Sequence, residues 1–343
     1  MTYRENFLRA IGFNYPEWIP CGIGFSPLTW NTYRQNLEKI VLAHPKIFPG
    51  YKEGNQDFFD QMPPCYREGE YFRDNWGELW HNVQNGIEGQ VVEHPLSDWD
   101  NLSTYQPPDI LKEEREERDW GKIERDIKEQ KRKGILTEGN GSRLFDRLYL
   151  LRGFENLMID FATDAPELPK LIDMFLDSEM KLVNKWLEIG VDKMNFHSDM
   201  ATQQALMISP AKFRKYIKPM FKKIFQTCRK AGTYVFFSSD GCLLEIVDDL
   251  IECGVSMQNP QLGANSLEVI AKAYKGKMLI HLRLDMQKLP FWKPEDIRNQ
   301  VREAREKLAL PEGGLMFGTD IFGADVSLKN IEAICQAFEE FCF

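Results

Sequence analysis

No window of the 343-residue sequence approaches the ~18 uninterrupted apolar residues of a membrane span. The opening run Met1-Thr2-Tyr3-Arg4-Glu5-Asn6-Phe7-Leu8-Arg9 has no apolar stretch of signal-peptide length. The seven cysteines form no CxxC pair. A scattered, odd set of thiols fits a reduced, cytoplasmic protein. A P-loop, a dinucleotide fingerprint, an HExxH, an EF-hand loop, Cys/His zinc spacing and a G-x-S-x-G elbow are all missing. Gly139-Asn140-Gly141 is too short to count as a fingerprint. Kinases, Rossmann dehydrogenases and α/β-hydrolases are therefore set aside. Basic charge is also short: 43 Lys+Arg against 52 Asp+Glu gives −9. That balance argues against nucleic-acid binding, which needs a basic face for phosphates. An anionic small molecule stays open, since the field inside a cleft can oppose the net charge.

What is present reads as one domain, 1–343. Hydrophobic residues make up 43% of the chain, enough for a large core. From about 134 onward, strand-like and helix-like runs alternate with little slack. Strands are expected near residues 20, 136 (Ile135 to Glu138), 195, 236, 256, 281 and 316, with an eighth to be found in the less regular 1–133 elaboration. Ser209-Pro210, Ser266, Pro294 and Ser327 mark helix starts, and Asp164-Ala165-Pro166-Glu167 is similar to a capping box. Pro219 is expected to bend its helix. Glu70 to His94 reads as a β-hairpin around Asn85-Gly86. The charged run Lys112 to Lys133 reads as a solvated helix with i,i+4 pairs. Repeated strand-then-helix units imply a parallel sheet with right-handed crossovers. The expected fold is α/β, a (β/α)8 TIM barrel, with a doubly wound open sheet as the alternative.

In such a barrel, reactive groups gather where strands end and the following loops converge. The strand ends here carry Glu138 and Asn140; His197 and Asp199; Ser239 and Asp240; Gln258 and Asn259; His281, Arg283 and Asp285; Thr319 and Asp320. Helix capping would explain Asp240 and Asp320 equally well. Arg283, between Leu282 and Leu284, shares a strand face with His281 and Asp285 and needs a carboxylate or a substrate anion. The rim of Asp199, Asp240, His281, Arg283 and Asp320 is expected to face one cavity.

These residues carry a resemblance. Asp199-Met200-Ala201-Thr202-Gln203, Ile208-Ser209-Pro210, Phe213 and Ile217-Lys218-Pro219 are similar, in order, to the D-x-x-T-Q…SP…F…P segment of the uroporphyrinogen decarboxylase superfamily. So are Gly153-Phe154-Glu155-Asn156-Leu157, Ser239-Asp240-Gly241, Asn259-Pro260-Gln261, Asp285-Met286-Gln287 with Leu289-Pro290, and Asn330-Ile331-Glu332-Ala333. The resemblance covers about 150–343 and implies a (β/α)8 barrel. Decarboxylases of the superfamily hold porphyrinogen carboxylates with an early Arg-Gln-Ala-Gly-Arg and carry a late Gly-His-Gly. The matching stretches here are Gly22-Ile23-Gly24-Phe25-Ser26-Pro27 and Phe317-Gly318-Thr319-Asp320.

The other branch comprises corrinoid-dependent methyltransferases, several of which bind zinc through His-x-Cys and a distant Cys. The matching positions here are Ser238, Asp240 and Thr319 or Asp320, an atypical zinc set lacking soft thiolates. The resemblance thus implies demethylation of a small methoxylated or N-methylated compound onto a corrinoid (cobalamin), free or on a partner corrinoid protein. Acid or metal assistance would act at the leaving atom. In this reading Asp240, His281 and Asp199 are catalytic, while Arg283, Asn259, Ser239, Glu138 and His197 bind substrate. Asp240 and Asp320 are candidate metal ligands, or no metal is held. Homodimers are common among such barrels. The alternatives are a decarboxylase acting on a carboxylic acid and a non-catalytic ligand-binding barrel.

Overall fold

The computed structural model describes residues 1–54, 66–112 and 118–343; Cys65 and residues 113–117 of the charged run lie outside them. Among the described residues ten strands follow one another: β1 (Cys21–Phe25), β2 (Tyr71–Arg73), β3 (Leu79–His81), β4 (Gln90–Glu93), β5 (Glu138–Arg143), β6 (Lys193–His197), β7 (Tyr234–Ser238), β8 (Met257–Gln258), β9 (Leu279–Arg283) and β10 (Leu315–Ile321). All seven expected positions hold a parallel strand. Among the described residues of 1–133, β1 is the only one of these, so the eighth was not found there. The chain divides into two compact units, Met1–Met62 with Asn259–Phe343, and Pro63–Gln258.

In the first unit β1, β10 and β9 lie side by side and parallel, with Gly22 opposite Gly318, Gly24 opposite Asp320, and Gly318 opposite Arg283. Phe317 and Phe338 pack their rings 5.9 Å apart, which ties β10 to the helix Leu328–Cys342. That helix starts where expected, with the Ser327 hydroxyl accepting the Asn330 amide. By alternation, Gly318 and Asp320 face away from this packed side.

In the second unit β5, β6, β7 and β8 pair in parallel, and β2, β3 and β4 form a separate antiparallel sheet. The expected hairpin is thus three strands, with Asn85-Gly86 between the second and third. The helix Leu168–Ile189 covers β5 at close range: a Cβ on Gly139 would strike Trp186 and Met194, and one on Gly141 would strike Phe196 and Glu179. This contact explains the Gly-Asn-Gly run as a packing device. The Trp186 indole donates to the Asn140 carbonyl at 3.1 Å, and the Ser142 amide donates to the fully buried Glu179 carboxylate at 3.0 Å. Glu179 is pushed up by that burial.

Two local expectations are corrected, and the helix around Pro219 takes a form the sequence did not specify. The strand expected over 135–138 begins at Glu138 and runs to Arg143, so Glu138 opens the strand instead of ending it. Asp164 does not cap the helix that follows. It ends the helix Phe154–Thr163 in the left-handed region (φ 58°), and its carboxylate takes Lys212 and Lys215 at 2.7 and 2.9 Å. Near Pro219 the helix passes through a π-helical turn, Phe213–Ile217, before resuming as Lys218–Lys230. The proline therefore sits in the first turn of the resumed helix, where its missing N–H costs least.

Candidate active site

The second unit brings its strand-end residues into one connected array. β6 ends at His197, and the chain then turns through Ser198 and Asp199. The Asp199 amide donates to both oxygens of Asp146 at 3.2 Å, and one Asp199 oxygen accepts the Asp240 amide at 2.9 Å. His197 Nε2 lies 3.7 Å from the other Asp199 oxygen. The loop after β7 is stitched to the loop after β6: the Ser239 hydroxyl accepts the Met200 amide at 3.4 Å, and the Cys242 amide donates to the Thr202 carbonyl at 2.9 Å. Gly241 makes this approach possible, since its φ is +85° and a Cβ there would sit 2.5 Å from the Ala201 and Thr202 carbonyls.

Charge follows from these contacts. The Asp199 carboxylate raises His197 from its ordinary range, against the opposing effect of burial. Burial pushes Asp199 up, but His197 and the Asp240 amide outweigh it and hold the carboxyl below its ordinary value. Capping explains neither aspartate singled out for it. The helical turn after Asp240 begins at Leu244, with Leu243 at its N-cap, and Asp320 lies within β10. Two of the expected substrate contacts already have partners within the protein. Ser239 is fully buried in the loop packing, and Glu138 is held at the start of β5 by Lys193 at 3.0 Å and Asn195 at 2.8 Å.

The first unit holds a second group. Arg283 Nη2 reaches Asp320 at 3.2 Å, and the buried Arg283 Nε has no hydrogen-bond partner. The His281 ring lies over Gly318, and the Asp320 carboxylate lies over Gly24; a Cβ at either glycine would collide with them, whereas one at Gly22 would meet nothing within 4 Å. Asn259 is buried. Asp285 serves its own loop, paired with Lys288 at 2.9 Å.

A bound zinc does not fit these donors. Asp320 is already matched to a guanidinium, and no three His, Cys, Asp or Glu side chains among the described residues are placed to hold a metal.

The sequence reading missed the segment just after β5. Arg143, Asp146 and Tyr149 sit there, with Asp146 buried and Arg143 bound to Glu88. Moving the strand end from 138 to 143 would have exposed them as strand-end residues. Two cavities in the second unit were also missed. One, about 720 Å³, is lined by Trp76, Arg118, Asn140, Arg147 and Trp186; the other, about 360 Å³, by Phe72, Trp80, Arg143 and Arg147.

The chain belongs to the uroporphyrinogen decarboxylase (URO-D) family, whose model matches residues 87–341. A methyltransferase from Methanosarcina mazei has a similar structure over 99% of both chains, at 17% identity and a TM-score of 0.69. This likeness shows the fold class to be the expected α/β, TIM-barrel type. 7,8-Dihydropteroate synthase from Vibrio fischeri ES114 matches 41% of this chain and 53% of its own at 17% identity, with a TM-score of 0.30. The dihydropteroate synthase of Yersinia pestis matches 53% of this chain and 61% of its own at 15% identity, with a TM-score of 0.31. No curated protein matches the chain in sequence. Among the described residues, no helix is long and apolar enough to cross a membrane.

Proposed function

We propose that this protein is a methyltransferase that takes a methyl group from a small methoxylated or N-methylated compound and passes it to a corrinoid, presented by a partner corrinoid protein. The end-to-end likeness to a methyltransferase supports this reading within the family. The observation that carries it is the poverty of positive charge on the first unit's strands. β1, β9 and β10 together hold one arginine or lysine, Arg283, and Asp320 already offsets it. A porphyrinogen with many carboxylates requires several cations. One half-neutralised arginine, its side chain 26% exposed, suits a single anionic group on a small donor.

The corrinoid supplies a nucleophilic cobalt that accepts the methyl carbon. This chain's residues prepare the donor. In the first unit, Arg283 binds the anionic group, Asn259 orients the molecule, and His281 can deliver a proton to the leaving oxygen or nitrogen. In the second unit, Asp199 and His197 hold a proton between them, and Asp240 is the other candidate donor. No step needs a bound metal.

The test is methylation of cob(I)alamin, followed by its absorbance, with a panel of methoxylated and N-methylated compounds. Turnover with at least one compound, reduced by Asp240→Asn or His281→Ala, is the expected result. Full transfer in both variants would remove those roles. A second reading, decarboxylation of a small acid gripped by Arg283, draws on the same partly exposed side chain. Carbon dioxide release without any corrinoid would identify it, and ligand binding without turnover would identify a non-catalytic barrel.

A further inference from the structure

Asp146 enters none of the roles above, yet it is the most enclosed acid of the second unit's array. It is 2% exposed, in the first turn of the helix Leu144–Arg152 that follows β5. Its oxygens receive only donors: the Asp199 amide at 3.2 Å to each, and the Tyr149 hydroxyl at 2.6 Å. A short hydroxyl contact and a shared amide are how a buried carboxylate is kept ionised, because an acid without such donors is too costly to bury. The amide it grips belongs to Asp199, whose own side chain meets His197 and the Asp240 amide.

We infer that Asp146 is a positioning residue: its buried carboxylate, held by the Tyr149 hydroxyl, grips the Asp199 amide and so fixes the loop that sets the Asp199 side chain beside His197. Asp199 lies 3.7 Å from His197, and the charges of Asp146 and Arg143 also act on the ring. Asp199 and Asp146 favour the imidazolium, and Arg143 opposes it. The opposition is blunted because Arg143 is itself paired with Glu88. Burial raises Asp146, partly offset by the Tyr149 hydroxyl, so this acid gives up its charge before Asp199 as pH falls. His197 is half exposed and can hand on the proton that the pair retains. That His197 serves methyl transfer rests on the proposed function; the positioning by Asp146 does not.

The experiment is an NMR titration of His197 in the full chain, for the wild type, Asp146→Asn and Tyr149→Phe. With Asp146→Asn, His197 is expected to lose its proton at lower pH than in the wild type. The basic limb of the methyl-transfer profile should move the same way, and kcat should fall roughly tenfold to a hundredfold with KM little changed. Tyr149→Phe, which removes one of the two donors that hold the Asp146 carboxylate, should move the His197 titration the same way but by less. A folded Asp146→Asn variant with an unshifted His197 would overturn the inference. Should that variant fail to fold, the Asp199 amide resonance of the wild type decides. It should move as Asp146 is protonated in the acid range, and an amide that ignores acid would overturn the inference as well. A shifted His197 in a chain without methyl transfer would sink the proposed function and support the role of Asp146.

Discussion

The two groups of strand-end residues are built on opposite plans. In the second unit, Asp146, Asp199 and Asp240 are linked through backbone amides, so each loop fixes the next and the carboxylates have little freedom. In the first unit, His281 and Asp320 lie across glycine backbone, and Arg283 keeps an unused donor. A closed network sets charge; an open one leaves capacity for something from outside. On the proposed function, the closed network would serve proton control and the open one anion recognition.

The largest expected effect comes from removing the open group's cation. Arg283→Gln should raise KM for an anionic donor about a hundredfold, near the ~3 kcal/mol upper end for a hydrogen bond to a charged group, with kcat less affected. An unchanged KM would break the contrast. Asp199→Asn should do the converse, lowering kcat roughly tenfold or more while KM holds, and His197 should then titrate at lower pH. Next comes Gly24→Ala, whose methyl would displace the Asp320 carboxylate; donor affinity should drop several-fold, whereas Gly22→Ala, with open space around it, should melt like the wild type. Equal behaviour of the two glycine variants in affinity and melting would remove the role given to the glycine floor.

The smallest effect concerns Asp164, outside both groups. Hydrogen bonds from Lys212, Lys215 and Tyr216 hold its carboxyl far below the ordinary value. A lowered folded-state pKa contributes stability above the unfolded value and loses it as pH falls through the acid range. Asp164→Asn should therefore melt slightly lower than wild type at neutral pH, with the gap closing in acid. Asn also accepts the left-handed conformation, so the helix end itself should survive.

The parallel strands were legible because β-branched and aromatic runs such as Tyr234 to Ser238 alternate with helical periods closed by glycines. Capping chemistry at Ser209, Ser266 and Ser327 was equally plain, since it depends on three or four neighbouring residues. β5 was misplaced for a physical reason. Its Glu-Gly-Asn-Gly-Ser-Arg sequence has no strand propensity, and only the close cover of Trp186 and Glu179 makes it a strand. That shift hid Asp146 and Tyr149. Ser239 and Glu138 look like ligand contacts in sequence because a polar side chain at a strand end reads the same whether it meets substrate or a neighbouring loop. Asp164 read as the start of one helix when it closes another, because a short polar side chain suits an N-cap and a left-handed helix end alike.

Cobalamin spectroscopy addresses the central proposal most directly. The purified chain is mixed with cob(I)alamin and, in turn, with methoxylated and N-methylated compounds bearing one anionic group. Loss of the cob(I)alamin spectrum and appearance of methylcobalamin are expected with at least one donor, slowed roughly tenfold by Arg283→Gln at about ten times the wild-type KM. Persistence of cob(I)alamin with every donor, alongside carbon dioxide release from a small carboxylic acid, would contradict it.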